Sequence, residues 1–430
     1  MYKIGVIGTG YVGLVTAACL ADLGNEVICV DNDRKKLENL KKGIIPIYEP
    51  GLEELIAKNR KAKRITFTHS IKEAARGSEI VFICVGTPAH ADGGADLSAV
   101  EYVAQEIAKA INGYKLIVGK STVPVQTGER IQQTVAMLTR GKYEFDVVSN
   151  PEFLREGQAI SDTMRPDRIV IGVENKRAEE IMRKLYAPIK APLVVTNIPT
   201  AEIIKHACNS FLSTKISFIN AVANICERVG ADVKQVAYAM GLDKRIGASF
   251  LDAGAGFGGY CFPKDLDAFI HIAQKKGYDF ELLKAVRDIN KEQKKLVFKK
   301  VEDTLWNIKD KTIAVLGLSF KPNTDDIRNS ISFEIIAMLQ HAGAKIRAYD
   351  PHSMTKAARE LKSVKFCRDA YDAAKGADCL LIITEWEEFR SLDPAKLKKV
   401  MRGQFIIDGR NIFDPAAMKK AGFVYKSVGR

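Results

Sequence analysis

The sequence contains no Cys-x-x-Cys pair, and its eight cysteines are dispersed without a cluster of histidines beside them. Zinc sites need such groups of ligands, so we expect no bound metal. Most of the cysteines stand inside apolar runs, where buried, reduced thiols are the usual state. Reduced thiols are typical of a reducing compartment, and we therefore predict a cytoplasmic protein.

Low-complexity tracts and apolar runs of membrane length are also missing. The nearest approach to a membrane span is the uncharged stretch 4–21, which contains four glycines. Gly8, Gly10 and Gly13 stand where a strand must turn into a helix, so this stretch does not read as a signal peptide or a span. We expect no membrane contact.

The charge is unbalanced, since 65 Lys and Arg against 52 Asp and Glu give a formal net charge of +13. The basic residues are spread through helical segments such as 34–42, 58–64 and 291–300, the pattern of solvated helix faces. A nucleic-acid interface would instead cluster them among exposed aromatic residues. We expect no nucleic-acid partner, although a basic surplus would help to capture a small anionic substrate.

Short β-branched runs alternate with longer amphipathic stretches in the first 198 residues, which predicts a parallel sheet with helices on both faces. The predicted strands are Lys3–Ile7, Glu26–Val30, Ile80–Val85, Leu116–Gly119, Asp146–Val148 and Arg168–Val173. A nearly unbroken helical pattern then runs from Pro199 to Gly230, too long for one small domain, and ends at a glycine as many helices do.

The alternation restarts after Trp306 without the glycine fingerprint of the first part. The predicted strands are Thr312–Leu316, Lys345–Tyr349, Val364–Cys367, Cys379–Thr384 and Phe405–Ile407. We therefore predict an α/β protein with two Rossmann-like doubly wound domains joined by a long central helix. The predicted domains are residues 1–198, a helical domain at 199–300 that contains the Gly-rich segment 247–265, and residues 301–430.

The motif Gly8-Thr9-Gly10-Tyr11-Val12-Gly13 follows a strand and opens a helix, which lets backbone N–H groups approach a pyrophosphate. Asp31 ends the second predicted strand, 18 residues after Gly13. A carboxylate there accepts hydrogen bonds from ribose hydroxyls and repels a 2′-phosphate. The pair of features favours NAD over NADP, with a surface turn and an unrelated Asp as the alternative.

Polar residues fall just past later strands, at Thr87, Ser121, Thr122, Asn150 and Glu152. Ligands of open α/β sheets bind at the carboxyl ends of the strands. Each residue alone is more often a cap or turn residue, so their common placement at one edge is the signal.

The segment from Gly254 to Asp265 (GAGFGGYCFPKD) surrounds one cysteine with turn-forming and charged residues. Glycines let a substrate approach the backbone, and Lys264 or a helix starting near Pro263 would favour the thiolate of Cys261. Cys261 is therefore a candidate nucleophile, with inert packing as the alternative.

Lys205 and Asn209 are four residues apart in the long helix and project from one face. A lysine in an apolar helix usually extends its ammonium to water. The functional alternative is that Lys205 holds a developing oxyanion.

Together these residues resemble the UDP-glucose/GDP-mannose dehydrogenase family. The resemblance spans essentially the whole chain and rests on GTGYVG, NPEFLREG at 150–157, GFGGYCFPKD at 256–265 and FKPNTDDIRNS at 320–330. It implies an NAD-dependent, four-electron oxidation of a nucleotide sugar by a homodimer built on the long helix. UDP-glucose is the expected sugar nucleotide, with GDP-mannose or a UDP-N-acetylhexosamine as the alternative.

The resemblance also implies roles for single residues. Cys261 resembles the nucleophile that forms a thiohemiacetal and then a thioester, and Lys205 with Asn209 look like oxyanion stabilisers. Asp265 looks like a base or a water-orienting carboxylate, and Thr122 with Glu152 like partners of an ordered water. Which of Asp265, Glu152 and Lys205 is the general base stays open.

The resemblance also implies which residues contact the cofactor and the substrate. The cofactor contacts are Gly8, Gly10, Val12, Gly13, Asp31, Lys36, Thr87, Thr122, Glu156, Lys264 and Arg328. The substrate contacts are Glu152, Phe153, Leu154, Arg155, Glu156, Lys205, Asn209, Phe250, Leu251, Asp252, Ala253, Gly254, Gly258 and Lys321.

The segment Lys244–Gly247 resembles a family loop whose arginine, here Arg245, reaches the substrate of the partner subunit. A planar guanidinium suits a diphosphate. Tyr260 stands where many members have Ser, and Ile331 where many have Pro, which concerns loop geometry only. A non-catalytic NAD-binding protein of the same fold is a further alternative, but Cys261, Lys205 and Asp265 are all present.

Overall fold

The structure is a computed structural model that describes residues 1–90 and 92–430. Its internal contacts divide the chain into two compact units. Unit 1 contains residues 1–208 and 267–278, and unit 2 contains residues 209–266 and 279–430. The division into domains at 1–198, 199–300 and 301–430 stays a prediction.

Unit 1 is built on an eight-stranded sheet in the order β3-β2-β1-β4-β5-β6-β7-β8. Its strands are β1 (Lys3–Ile7), β2 (Glu26–Val30), β3 (Ile65–Thr68), β4 (Ile80–Ile83), β5 (Lys115–Gly119), β6 (Phe145–Ser149), β7 (Ile169–Gly172) and β8 (Leu193–Thr196). The helices around it are α1 (Tyr11–Asp22), α2 (Arg34–Lys42), α3 (Leu52–Lys61), α4 (Ile71–Gly77), α5 (Ser98–Ala110), α6 (Thr127–Thr139), α7 (Ala159–Met164) and α8 (Lys176–Tyr186).

Successive residues of the central strands face opposite sides of this sheet, as the two-residue period of a strand requires. Ile4 and Val6 of β1 pack with α1 in one core, whereas Ile7 packs with α5 in the other. Burial on both faces explains why these strands are nearly continuous apolar runs.

Four helices follow: α9 (Ile198–Val229), α10 (Val233–Leu242), α11 (Cys261–Lys275) and α12 (Glu281–Leu305). The predicted long helix is therefore present, and the chain passes from unit 1 to unit 2 within it. Gly230 follows with a φ of 74°, the left-handed conformation that ends many helices.

Unit 2 contains a six-stranded parallel sheet in the order β11-β10-β9-β12-β13-β14. Its strands are β9 (Thr312–Leu316), β10 (Lys345–Tyr349), β11 (Val364–Phe366), β12 (Cys379–Ile382), β13 (Phe405–Asp408) and β14 (Val424–Ser427). Its further helices are α13 (Ile331–His341), α14 (Met354–Glu360), α15 (Ala370–Ala374), α16 (Glu387–Arg390), α17 (Pro394–Val400) and α18 (Pro415–Lys420).

The predicted fold class is confirmed, and one detail of it is wrong. The first sheet is not purely parallel, because β6 and β7 are antiparallel and pair at Ser149 and Gly172. Strand direction depends on how the connecting segment 150–168 packs, which apolar periodicity does not report. In the part of the chain that the structure describes, no helix combines the length and the apolar character of a membrane span.

Candidate active site

The turn between β1 and α1 needs its three glycines for three different reasons. Gly8 has a φ of 100°, and a Cβ there would lie 2.6 Å from the carbonyl oxygen of Cys84. A Cβ on Gly13 would overlap the carbonyl oxygen of Gly8, whereas a Cβ on Gly10 would meet nothing within 4 Å. A tight turn, an open approach and close packing are the three requirements of a dinucleotide-binding turn.

Asp31, directly after β2, lies beside this turn. Its Oδ2 accepts hydrogen bonds from the backbone N–H (3.0 Å) and hydroxyl (2.6 Å) of Thr9 and forms an ion pair with Lys36 (2.8 Å). Burial alone would raise the pKa of Asp31, but the hydrogen bonds from Lys36, Thr9 and Asp33 outweigh it and hold the pKa below its usual value. The carboxylate is therefore ionised at neutral pH and oriented by the turn.

A cavity of about 570 Å³ opens at this end of the sheet. Gly8, Gly10, Asp31 and Lys36 line it, as predicted cofactor residues should. Several other lining residues, from the segment after β3 and from α5, were not predicted from sequence: His69, Ser70, Ile71, Lys72, Ala99, Tyr102, Val103 and Glu106. An adenosine moiety needs such a mixed polar and apolar wall, so the residues present fit a dinucleotide.

Further predicted residues stand at the ends of β4 and β5 and at the start of α1. The hydroxyl of Thr87 donates to the carbonyl oxygen of Thr122 (2.9 Å), which brings these two candidates together. Val12 is half-buried in the first turn of α1.

Glu152 and Lys205 form a buried ion pair. The ammonium of Lys205 lies 3.0 Å from Oε1 of Glu152, and both side chains are about 5% exposed or less. Oε2 of Glu152 accepts the backbone N–H of Leu154 (2.6 Å), and the ring of Phe153 lies 5.3 Å from the Lys205 ammonium. The ammonium of Lys205 therefore does not extend to water, so the alternative of an ordinary solvated lysine is wrong.

Two acidic residues outside the 150–157 segment bind the rest of it, Asp162 at Arg155 and Glu49 at Gly157. Arg155 is paired with Asp162 (2.6 Å) and is exposed, and Glu156 is half-buried. The N–H of Gly157 donates to the buried carboxylate of Glu49 (2.6 Å), which also accepts from Tyr11. Sequence reasoning missed Glu49, because a glutamate between Tyr48 and Pro50 reads as a surface turn.

In unit 2, Asn209 and Lys264 converge on Asp265. The Asn209 amide donates to Oδ2 of Asp265 (2.6 Å), and the Lys264 ammonium lies 2.6 Å from Oδ1. Asp265 is fully buried, so its charge is compensated by these two partners.

Cys261 is the first residue of α11 and is half-buried. Backbone N–H groups at the start of a helix favour a thiolate. Packing inside the protein requires the two glycines before Tyr260. A Cβ on Gly259 would lie 2.7 Å from the Phe320 ring, and a Cβ on Gly258 would overlap the carbonyl oxygen of Asn329. These glycines allow the cysteine segment to pack directly on the 320–329 segment.

Two cationic side chains lie beside the aromatic ring of Tyr260 in the same region. The guanidinium of Arg328 lies 4.3 Å and the ammonium of Lys264 lies 5.6 Å from the centre of the Tyr260 ring. Arg328 is also held by both carboxylate oxygens of Asp326 (2.9 Å each).

A second cavity, of about 640 Å³, lies in unit 2. It is lined by six predicted substrate residues, Phe250, Leu251, Asp252, Ala253, Gly258 and Lys321. Gly254, the next predicted residue, donates its N–H to Asn220 (2.8 Å). Charged lining residues that the sequence did not reveal are Lys234, Glu385, Arg390 and Arg410. Three added cations suit an anionic ligand such as a nucleotide diphosphate.

Arg245 is placed apart from these groups. Its side chain is 89% exposed and paired with Asp243 (2.6 Å). Within the single chain it therefore faces solvent.

Profiles of one family match three consecutive parts of the chain. They are the UDP-glucose/GDP-mannose dehydrogenase family NAD binding domain (residues 2–190), central domain (residues 199–292) and UDP binding domain (residues 314–415). The turn, the acidic residue after β2 and the first cavity thus define an NAD-binding dehydrogenase.

Full-length relatives narrow the class to a family. The chain is 50% identical to the UDP-glucose 6-dehydrogenase TuaD of Bacillus subtilis (strain 168), covering 100% of this chain and 94% of that protein. It is 48% identical to the UDP-glucose 6-dehydrogenase of Rhizobium meliloti (strain 1021), covering 100% and 99%. The solved UDP-glucose dehydrogenase of Pyrobaculum islandicum matches with a TM-score of 0.93 at 38% identity, covering 99% of this chain and 97% of that one. The chain belongs to the UDP-glucose/GDP-mannose dehydrogenase family.

Proposed function

We propose that this protein oxidises the 6-hydroxyl of UDP-glucose to a carboxylate with NAD, and so makes UDP-glucuronate. The observation that carries the proposal is that one chain contains a dinucleotide turn, in unit 1, and also a cation-lined cavity and a helix-terminal cysteine, in unit 2. The substrate rests on the relatives, because several UDP-glucose 6-dehydrogenases are 43–50% identical to the chain over its length.

The turn at Gly8–Gly13 and Asp31 would hold NAD, which when bound would supply the hydride acceptor for each of two oxidations. Between them, the thiolate of Cys261 adds to the aldehyde carbon and gives a thiohemiacetal on the protein. The second oxidation turns this adduct into a thioester, and water then releases the carboxylic acid and restores the thiol. The position of Cys261 at the start of α11 supports this role, because the helix terminus favours the thiolate.

Polar and charged side chains stabilise the oxyanion, orient water, transfer protons and bind the cofactor. Lys205 and Asn209 donate to the oxyanion that forms when the thiol or water attacks. Thr122 and Glu152 orient the hydrolytic water, and Asp265, buried between Asn209 and Lys264, takes or returns a proton. Lys264 and Arg328, gathered at the Tyr260 ring, serve the cofactor phosphates.

We further propose a homodimer formed on α9. Phe211, Phe218 and Ile225 are seven residues apart, lie on one face of the helix and are each more than half exposed. An apolar stripe of this kind usually marks a protein interface. Arg245, exposed in the single chain, would then be available to the diphosphate of the partner's substrate.

A cytoplasmic location belongs to the same proposal. It is supported by eight reduced cysteines, six of them buried in the two units.

The test is the yield of NADH from a limiting amount of UDP-glucose, for the wild type and for Cys261→Ser. We expect two NADH per sugar from the wild type, and no release of free UDP-glucuronate from the variant, because a serine hydroxyl stays protonated at neutral pH and is a far weaker nucleophile than a thiolate. A buried-cysteine control, Cys379→Ser, should keep the wild-type yield. Absence of NADH from the wild type would overturn the proposed activity, and full acid release by Cys261→Ser would overturn the covalent route alone.

A further inference from the structure

Glu202 lies on α9, three residues before Lys205, and is a buried carboxylate that the proposed reaction does not use. Only 3% of the residue is exposed. Its Oε2 accepts the backbone N–H of Gln126 (2.7 Å), and its Oε1 accepts the backbone N–H of Gly128 (2.8 Å). The first N–H groups of a helix have no partner within it, so Glu202 supplies from α9 the acceptors that the start of α6 needs.

His206 binds the same segment one turn further along α9. It is 1% exposed, and its Nε2 donates to the backbone carbonyl oxygen of Val123 (2.9 Å). Residues four apart share one face of a helix. This face of α9, formed by Glu202 and His206, therefore fixes both ends of the segment 123–128.

The segment 123–128 contains a strained residue. Gln126 has a φ of 76°, a left-handed conformation that residues other than glycine rarely adopt. Such strain persists only where the surrounding contacts enforce it. A Cβ on Gly128 would lie 2.5 Å from Cγ2 of Ile198, the first residue of α9, so α6 packs directly on α9 there. The position of the segment is thus determined by α9.

Thr122 directly precedes this segment and follows β5. Gly119 of β5 pairs with Ser149 of β6 in parallel register. Thr122 and Glu152 each stand three residues beyond that pair, at the edge of the sheet where ligands of such folds bind. The hydroxyl of Thr87 donates to the carbonyl oxygen of Thr122 (2.9 Å). The backbone of Thr122 is therefore held by Thr87, and the residues after it are held by α9.

We propose that Glu202 and His206 are positioning residues that hold Thr122 in place for hydrolysis of the thioester. The inference rests on the proposed function, in which Thr122 and Glu152 orient the hydrolytic water. The same helix carries Lys205, whose ammonium lies 3.0 Å from Oε1 of Glu152. One helix, α9, thus places both water-orienting residues: Glu152 through Lys205, and Thr122 through the segment 123–128.

Hydrolysis is the one step of the proposed reaction that consumes water. The water oxygen forms a bond to the thioester carbon, the carbon–sulfur bond breaks, and one proton of the water ends on the sulfur of Cys261. No oxidation occurs in this step, and both hydride transfers come before it. Displacement of Thr122 should therefore slow hydrolysis, and the thioester should accumulate on Cys261.

The experiment mixes the enzyme with excess UDP-glucose and saturating NAD and stops the reaction with acid. Mass spectrometry of the intact protein then gives the acylated fraction, and NADH is followed in parallel. Burial raises the pKa of Glu202 to about 7, so the reaction runs at about pH 8.5, where this carboxylate is ionised.

Glu202→Ala removes both acceptors and should lower kcat about tenfold, since small displacements of a positioning group cost that much or more. We expect a rapid burst of two NADH per chain and a higher acylated fraction than in the wild type. The ratio kcat/KM for UDP-glucose should stay unchanged, because it covers only the steps that lead to the thioester. A general loss of structure would instead lower kcat/KM together with kcat.

Conservative variants keep the test independent of folding. Glu202→Gln retains one accepting oxygen and should show the same changes to a smaller extent. His206→Phe loses the donor to Val123 and should also accumulate the thioester. His206→Gln keeps an N–H donor for that carbonyl oxygen and should behave as the wild type does.

Asn175 provides the matched control, because its side-chain oxygen also binds the start of a helix of unit 1, where it accepts the N–H of Ala178 (2.9 Å). Asn175→Ala should lower the melting temperature and leave the acylated fraction at the wild-type level. Thr122→Ala should accumulate the thioester as Glu202→Ala does.

A wild-type acylated fraction in Glu202→Ala, Glu202→Gln and His206→Phe would overturn the inference. The same holds for a wild-type fraction in Thr122→Ala, or for a raised fraction in Asn175→Ala. A wild-type enzyme that makes no NADH from UDP-glucose would instead overturn the proposed function.

Discussion

The two units repeat one architecture, and a single aspartate shows how differently they use it. Asp31 follows β2 in unit 1, and Asp350 follows β10, the corresponding strand of unit 2. Each accepts hydrogen bonds from the turn after the central strand: Asp31 from Thr9, and Asp350 from the N–H (3.0 Å) and hydroxyl (3.0 Å) of Ser319. The carboxylate is therefore part of the frame of the fold in both units.

The difference lies on the outer side of each carboxylate. Asp31 borders the first cavity, and its outer partner is the ammonium of Lys36, which also lines that cavity. Asp350 is fully buried, and the indole N–H of Trp386 donates to its Oδ2 (3.1 Å). In unit 2 the protein's own tryptophan thus closes over the carboxylate, whereas in unit 1 the corresponding carboxylate borders a cavity. A repeated fold does not carry a repeated site.

The largest expected effect concerns Asp350. Burial would raise its pKa, but backbone hydrogen bonds from Ser319, Leu318, His352 and Ser353 outweigh burial and lower it. Asp350→Asn replaces one accepting oxygen by a donor against these N–H groups, so the free energy of unfolding should fall by about 3 kcal/mol. Denaturant titration would measure it.

The pH dependence of this loss is fixed by the sign of the shift. A lowered folded-state pKa contributes stability above the unfolded value of about 4 and loses it as the pH falls through the folded value. The wild type and Asp350→Asn should therefore converge below about pH 4. Asp31→Asn, the counterpart at the open cavity, should lose less stability, and an equal loss would contradict the contrast between the units.

The second effect separates the glycines of the unit 1 turn. Gly10→Ala adds a Cβ where nothing lies within 4 Å, so the fold should be kept while the backbone approach to a pyrophosphate is blocked. Loss of one charge-assisted hydrogen bond costs about 2 kcal/mol, and the Kd for NAD should rise about thirtyfold by calorimetry. Gly13→Ala should instead lower the melting temperature, because its Cβ overlaps backbone. Equal NAD affinity in Gly10→Ala would refute the assignment of this turn.

Much of the fold was predictable because the central strands are buried on both faces. The run at β4 is apolar throughout, and the runs at β1 and β9 contain one polar residue each, Lys3 and Thr312, at their first position. The strands that sequence reasoning missed, β3, β8 and β14, are four-residue edge strands, and β8 and β14 are only partly buried. Partly exposed edges carry a weak apolar signal.

The site was predictable to the extent that it resides in local motifs. The turn, Asp31 and the cysteine segment each stand in one short stretch of sequence. Glu49, Lys120 and Arg410 act across 108, 30 and 154 residues on Gly157, Asn150 and Gly256. Such partners depend on tertiary packing, and a single sequence contains no spacing that would reveal them.

The smallest expected effect concerns Trp386, the side chain that covers Asp350 in unit 2. Trp386→Phe keeps an aromatic ring but removes the indole N–H that donates to Asp350, so the free energy of unfolding should fall by about 1.5 kcal/mol. Because the added space is small and the turn at Ser319 stays closed, no second dinucleotide should bind, and calorimetry should still give one NAD per chain. Two NAD per chain in Trp386→Phe would mean that the tryptophan alone closes the second site, and the difference between the units would then reduce to this one side chain.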